Sequence, residues 1–235
     1  QKIKGTYDIL PPESKKWNTA ISIFQSLSEQ FGYEEIKTPT IENIDLFKQN
    51  IGYETDVSKE MFSWEDPSGN QLVLKPEMTA PVVRAYIESG FFRSKPLCKL
   101  FYIDALFRRE KPQKGRQRQF HQFGIEALGS SEVEQDAEVI LLATKILCHL
   151  GISNTTLQIN DIGNYETRKK YQEKLNEYFS DYESSLSKLS QNRLGNNSLR
   201  ILDSKEEEDI EIVKNAPFIK EFLTKDELNN YSSLL

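Results

Sequence analysis

At 235 residues, with 37% hydrophobic and 28% charged side chains, the chain has the composition of a folded, water-soluble protein: one large domain, or one domain with an appended module. No run approaches the ~18 apolar residues a membrane helix needs, and the opening QKIKGTYDILPP has no apolar signal core. A net charge of −6 argues against a general nucleic-acid coat; Cys98 and Cys148 lack ligand spacing and point to two buried free thiols in a reducing cytoplasm; His121 and His149 make no metal set.

Residues 4–12 predict an extended lead-in ending in Pro11-Pro12. Residues 13–31 have helical periodicity, with Trp17, Ala20, Ile21, Phe24, Leu27 and Phe31 on one stripe and Gly32 as the stop. A short strand over 33–38 is closed by Pro39, and 45–61 is expected to be helical in part. Residues 61–64 and 71–74 predict a hairpin around the turn composition of 66–69. Thr79-Ala80-Pro81 signals a helix start with Thr79 as N-cap, the helix running to about Ser89 before Gly90. Glu77, just ahead of that cap, is not explained by capping and sits at a strand-to-helix turn, where ligand groups project. Ser131-x-x-Glu134 matches a capping box opening a helix to Leu150, with Val133, Ala137, Ile140, Leu141, Thr144 and Leu147 as its apolar positions. Residues 155–160 predict one more strand. Beyond Gly163 the chain turns polar: a helix or helix pair over 165–192, an acidic run over 206–209 that suits a solvated helix start, and short helix over 216–235.

The most informative stretch is 100–129, LFYIDALFRREKPQKGRQRQFHQFGIEALG. It predicts two strands, 100–110 and 119–128, around a polar, mobile tip over 111–118. Side chains alternate across a strand, so Phe120, Gln122, Gly124 and Glu126 share one face, while Leu106, Arg108 and Glu110 share a face of the first strand. If the two faces coincide, one surface carries a guanidinium, two carboxylates, an amide and an aromatic ring. That mixture suits a ligand surface better than a solvated one. Arg108, Arg109, Lys111, Lys114, Arg116 and Arg118 stand against Glu110 alone, and the four arginines suit forked phosphate contacts on an otherwise acidic body.

These residues resemble the histidyl-tRNA synthetases, a family of class II aminoacyl-tRNA synthetases. KGTYDILPPE looks like the family's N-terminal signature, FGYEEIKTPTIE is similar to motif 1, LKPEMTAPVVRA to the segment that grips the amino acid, and FRREKPQKGRQRQFHQFGIEALG to motif 2. The polar tail resembles the family's insertion module. The resemblance implies an α+β fold, an antiparallel sheet flanked by helices, with 1–164 as the first part of the catalytic core and 165–235 as a small helical module. It also implies ATP with Mg²⁺, L-histidine and tRNA(His) as ligands, a homodimer formed through motif 1, and no membrane partner.

Residue by residue, the resemblance implies that Arg108 holds the α-phosphate of ATP and is the catalytic residue. Glu110 would accept from the adenine amino group, Phe120 stack on the adenine, and Arg116 reach the outer phosphates. Glu77, Thr79 and Gln122 would hold the ammonium of histidine and Glu126 its imidazole, with Arg108 bordering the same substrate. Lys111, Gln113 and Arg118 would approach the acceptor end of the tRNA. Lys75 stands where arginine is usual, Met78 where a small residue is usual, and Tyr7 where arginine is more usual. The family's Arg-Gly-Leu-Asp-Tyr-Tyr segment, motif 3 and anticodon-binding domain are not found within these 235 residues, so weak or no histidine activation is expected of these residues alone. A paralogous alternative, the regulatory subunit of ATP phosphoribosyltransferase, binds histidine without charging tRNA; the presence of Arg108, Glu110, Arg116 and Phe120 favours the ligase.

Overall fold

A computed structural model of the chain describes residues 1–51, 60–111 and 113–235, without the side chains of 49–51. They fall into two compact units, Gln1–Thr155 and Thr156–Leu235.

The first unit is built on a three-stranded sheet. β1 (Glu34–Glu35) pairs in parallel with β5 (Cys98–Phe107), which pairs antiparallel with β6 (Gln119–Leu128). β1 is shorter than the expected strand over 33–38; only Ile36 extends it, its amide donating to Phe101 O at 2.9 Å. A second antiparallel sheet has the order β2 (Ile41–Asn43), β4 (Gln71–Leu74), β3 (Phe62–Glu65). The turn between β3 and β4 is held by Asp66, whose Oδ1 accepts from the amides of Ser68 and Asn70. The helices are α1 (Glu13–Gln30), α2 (Asp45–Ile51), α3 (Thr79–Glu88), the single turn α4 (Phe91–Ser94), which the sequence did not announce, and α5 (Val133–His149). Residues 52–59 of the helix expected over 45–61 lie outside the described residues, as does Pro112 of the hairpin tip.

Alternation along β5 and β6 sorts the core into two layers. One face sends Phe101, Ile103, Phe123 and Ile125 against Phe24 and Leu27 of α1 and Leu142 and Ile146 of α5. The other sends Leu100, Tyr102 and Leu106 against Met78 and Val82. Burying each such side chain contributes about 1.5–3 kcal/mol, so the hairpin is clamped on one face by two helices and on the other by the start of α3.

Several sequence expectations change. Leu141 is half exposed and Leu142 is the buried residue of α5; the helix begins at Val133 behind an uncapped Glu132, and the Ser131–Glu134 capping box does not form. Cys98 is buried but Cys148 is exposed. Residues 155–160 form no strand: among the described residues, no strand supplies a hydrogen-bond ladder for this segment.

The second unit contains α6 (Tyr165–Ser180), α7 (Lys188–Arg193), α8 (Glu207–Lys214) and α9 (Lys225–Leu234), with three short 3₁₀ turns. Tyr171, Leu175 and Phe179 recur every fourth residue on α6 and meet Leu186, Ile201, Ile219 and Leu223. Asp209 departs from the solvated acidic run expected at 206–209. It is fully buried and accepts from the Ser187 amide and from the hydroxyls of Ser187, Ser190 and Ser204. Glu227 caps two helices at once, accepting from the amides of Thr224 and Asn164, both at 2.7 Å, and from the Thr167 hydroxyl. These bonds, the Thr224 amide foremost, draw its carboxyl from the ordinary 4.5 down to about 2. A depressed carboxylate adds stability above its unfolded value and loses it as pH falls through the folded one. Amide exchange at Asn164 and Thr224 is therefore expected to speed up as pH drops from 4.5 towards about 2, after correction for intrinsic rates, and Glu227→Gln to flatten that dependence.

Among the described residues, no helix is long and apolar enough to cross a membrane.

Candidate functional site

The register of β5 and β6 pairs Leu106 with Phe120, Asp104 with Gln122, Tyr102 with Gly124 and Leu100 with Glu126. The two strand faces read from the sequence therefore coincide, and they form a wall whose two ends differ in chemistry.

At the Glu126 end, the wall meets the turn into α3. Glu77, not Thr79, caps this helix: its carboxylate accepts from the Thr79 amide at 2.8 Å and the Ala80 amide at 2.9 Å. The negative group belongs there because the first turn of a helix presents free N–H groups and a positive dipole end. Capping by Glu77 frees the Thr79 hydroxyl, which donates to Glu126 at 2.8 Å. The Tyr102 hydroxyl also donates to Glu126 and lies within hydrogen-bonding reach of Thr79. Burial, with the Glu126 and Glu77 charges, pushes Tyr102 up to about 12, so it stays a neutral donor. Burial also raises Glu126 above the usual carboxylate range; Glu77 acts in the same direction, while the Thr79 and Tyr102 hydroxyls oppose it.

Glu126 thus binds its proton more tightly in the folded chain than in the unfolded one. Its stability contribution is present below the ordinary carboxylate pKa and is lost as pH rises through the raised folded value. Glu126→Gln is expected to melt above the wild type at about pH 8 and to lose that advantage by about pH 4; thermal unfolding at the two pH values checks this.

At the Phe120 end, the pairing continues past Phe107 because the Arg108 amide donates to Arg118 O at 2.9 Å. The Arg108 side chain is fixed in three ways. Its Nε donates to Pro76 O at 2.9 Å, its guanidinium carbon lies 5.1 Å from the Phe120 ring centroid, and Nη1 is 3.8 Å from Glu110 Oε1. Glu110, 11% exposed, also takes Arg116 Nη1 at 3.1 Å, and Arg118 Nε donates to the Glu110 carbonyl. A carboxylate shared by two arginines offsets the repulsion between them and holds both guanidiniums beside it.

The structure therefore joins Glu77, Thr79 and Glu126 at one end and Arg108, Glu110, Arg116 and Phe120 at the other, with Gln122 between them on β6. Lys111 and Gln113 do not join either group. They are exposed in the hairpin tip, which closes through reciprocal Gln113–Arg116 backbone bonds around Gly115 at φ 82°. Tyr102, Asp104 and Lys75 were missed. Gly124, a glycine inside a strand, was the available signal for Tyr102: such a position marks a close approach, and here the phenol lies where a Cβ would be.

The family model for histidyl-tRNA synthetase matches residues 5–176. The chain belongs to the histidyl-tRNA synthetase family. A histidine–tRNA ligase of Chloroherpeton thalassium is 48% identical over 225 residues, 95% of this chain and 53% of the relative. One of Lactobacillus delbrueckii subsp. bulgaricus is 43% identical over 239 aligned positions, 100% of this chain and 56% of the relative. Apo histidyl-tRNA synthetase of S. aureus superposes with a TM-score of 0.77 at 31% identity, over 100% of this chain and 53% of that one. The fold is thus that of the class II synthetases, and the chain spans about half the length of the histidyl-tRNA synthetases it matches. A Bacillus halodurans protein described as an ATP phosphoribosyltransferase regulatory subunit/histidyl-tRNA synthetase shares the fold at 24% identity, with a TM-score of 0.67.

Proposed function

We propose that the β5–β6 wall binds ATP and L-histidine end to end, as the first half of a histidine–tRNA ligase site. The observation that carries this is the separation of two unlike clusters along one strand face. Phe120 and Glu126 are six residues apart, about 20 Å at ~3.3 Å per residue. That length suits a nucleotide followed by an amino acid.

Phe120 offers an aromatic platform for adenine, and the Glu110 carboxylate an acceptor for its amino group. Arg108 and Arg116 face the phosphates, which arrive as the Mg²⁺ complex of the substrate. A carboxylate oxygen of histidine attacks the α-phosphorus, the bond to pyrophosphate breaks, and Arg108 stabilises the charge that builds on the phosphoryl oxygens. Gln122, Glu77 and Thr79 line the ammonium position. Glu126 accepts from the imidazole, a polar demand that an apolar side chain leaves unmet. A ribose hydroxyl at the 3′ end of tRNA(His), which Lys111, Gln113 and Arg118 approach, then attacks the histidyl carbonyl, and the bond to AMP breaks to release it.

The second unit serves as the family's insertion module, and the chain works as a cytoplasmic homodimer through the motif 1 region. The Arg108–Glu110–Arg116–Phe120 set supports the ligase over a histidine-binding regulatory subunit, which has no use for a nucleotide end. Because the relatives are about twice as long, the 235 residues alone are expected to support slow ATP–pyrophosphate exchange that only histidine stimulates. Equal stimulation by other amino acids would overturn the proposal.

A further inference from the structure

Lys75, one residue past β4, is completely buried and has no part in the scheme above. Its ammonium donates to Asp104 Oδ2 at 2.6 Å, Thr38 O at 3.1 Å and Thr38 Oγ1 at 3.2 Å, so all three protons are used. Its backbone is equally tied: the amide donates to Thr40 O at 3.0 Å, and the carbonyl accepts from the Phe107 amide at 3.1 Å. The next carbonyl, Pro76 O, accepts from Arg108 Nε. Three segments, 38–40, 74–76 and 104–108, therefore cross at one side chain.

A buried ion pair is a poor source of stability, since desolvation offsets its attraction and an apolar pair of similar volume does as well or better. What a buried pair supplies is geometry and charge balance. Asp104 is the cross-strand partner of Gln122 and shares its face with Tyr102 and Leu106. Its side chain is 27% exposed, and Oδ1 accepts from its neighbour, the Ala105 amide, at 2.7 Å. Without the Lys75 ammonium, an unbalanced carboxylate would stand on a wall that has to take a polyphosphate.

We propose that Lys75 is a positioning residue for this wall, acting through Asp104 and the Pro76 carbonyl to hold the Arg108 guanidinium and the turn that carries Glu77 and Thr79. The role rests on the nucleotide-binding proposal above, but its test does not depend on that proposal. The variants are Lys75→Met, Asp104→Asn, the double variant and Lys75→Arg. The primary readout is the Arg108 Nε–H resonance and its exchange protection, followed in the ligand-free chain by NMR; melting temperature and MgATP affinity by calorimetry accompany it.

Either single neutral variant is expected to lose about tenfold of the protection and, with it, about tenfold in MgATP affinity. Lys75→Arg retains both. The double variant, with no buried charge left unpaired, regains the melting temperature but neither Arg108 protection nor affinity. A double variant with wild-type Arg108 protection would overturn the proposal, as would a Lys75→Met chain that melts lower with the Arg108 signal unchanged. If Arg108 responds as expected but the wild-type chain has no affinity for MgATP, the positioning role stands and the nucleotide-binding proposal fails.

Discussion

Gly124→Ala is expected to destabilise the first unit by about 3–5 kcal/mol, the range for displacing a buried aromatic side chain, and to remove histidine recognition. A Cβ at this position would lie 2.1 Å from both Cζ and Oη of Tyr102. Tyr102 has nowhere to retreat: it is 6% exposed and packed with Met78, Val82 and Leu106. Its ring has to leave the wall, and its hydroxyl then leaves Glu126, whose carboxylate keeps only Thr79 as a side-chain donor. The backbone of Gly124 is not the obstacle, since its φ lies outside the left-handed region where glycine alone is at ease. The clash with the ring alone drives the effect, so Gly124→Ala should cost little further stability in a Tyr102→Ala background, where Cζ, Cε2 and Oη are all gone, and the double variant should recover none of the histidine affinity. Chemical denaturation and histidine calorimetry separate the two.

Arg108→Ala is expected to lower MgATP affinity by about 30–150-fold, equivalent to the ~2–3 kcal/mol of charge-assisted hydrogen bonds to phosphate, and histidine-dependent exchange by about 10³-fold. Arg108 is anchored from three sides, by Pro76 O, the Phe120 ring and Glu110. It is held in place in the ligand-free chain, so little reorganisation would oppose the proposed phosphate binding. Arg108→Lys is expected to recover only a minor part, because an ammonium has neither the planar fork nor the stacking face that Phe120 meets. Thermal stability should change little, as the side chain is partly solvated, donates a single hydrogen bond to a backbone carbonyl and stands 3.8 Å from the Glu110 carboxylate. Nucleotide titration by calorimetry, with a melting curve for each variant, measures both claims.

The hairpin was legible in the sequence because period 2 leaves only two faces to choose between, and Phe120, Gln122 and Glu126 fall on the same one whatever the register. What alternation could not supply was depth along the partner strand: Tyr102 and Asp104 belong to the same wall, yet their aromatic and β-branched neighbours make the run look like plain core. Lys75 was visible only as a lysine in place of an arginine, since its role depends on Asp104, 29 residues away. The Thr79 cap failed for a local reason: Glu77 reaches the same free amides with a full charge, which a hydroxyl does not match. Asp209 misled because a run of acidic residues hides the one whose neighbours in space are three serines, two from the first turn of α7 and one from the turn ahead of α8. The strand expected at 155–160 shows the limit of pattern, as alternation says nothing of whether a partner strand lies alongside.

Binding of a nucleotide at the Phe120 end and of histidine at the Glu126 end is the function proposed for the β5–β6 wall. Its most direct test is calorimetric titration of the chain with a non-hydrolysable histidyl-adenylate analogue and with the phenylalanyl counterpart. The histidyl analogue is expected to bind at least about tenfold more tightly, and Glu126→Gln to erase the difference. Equal affinities for the two analogues, or binding of neither, would contradict it.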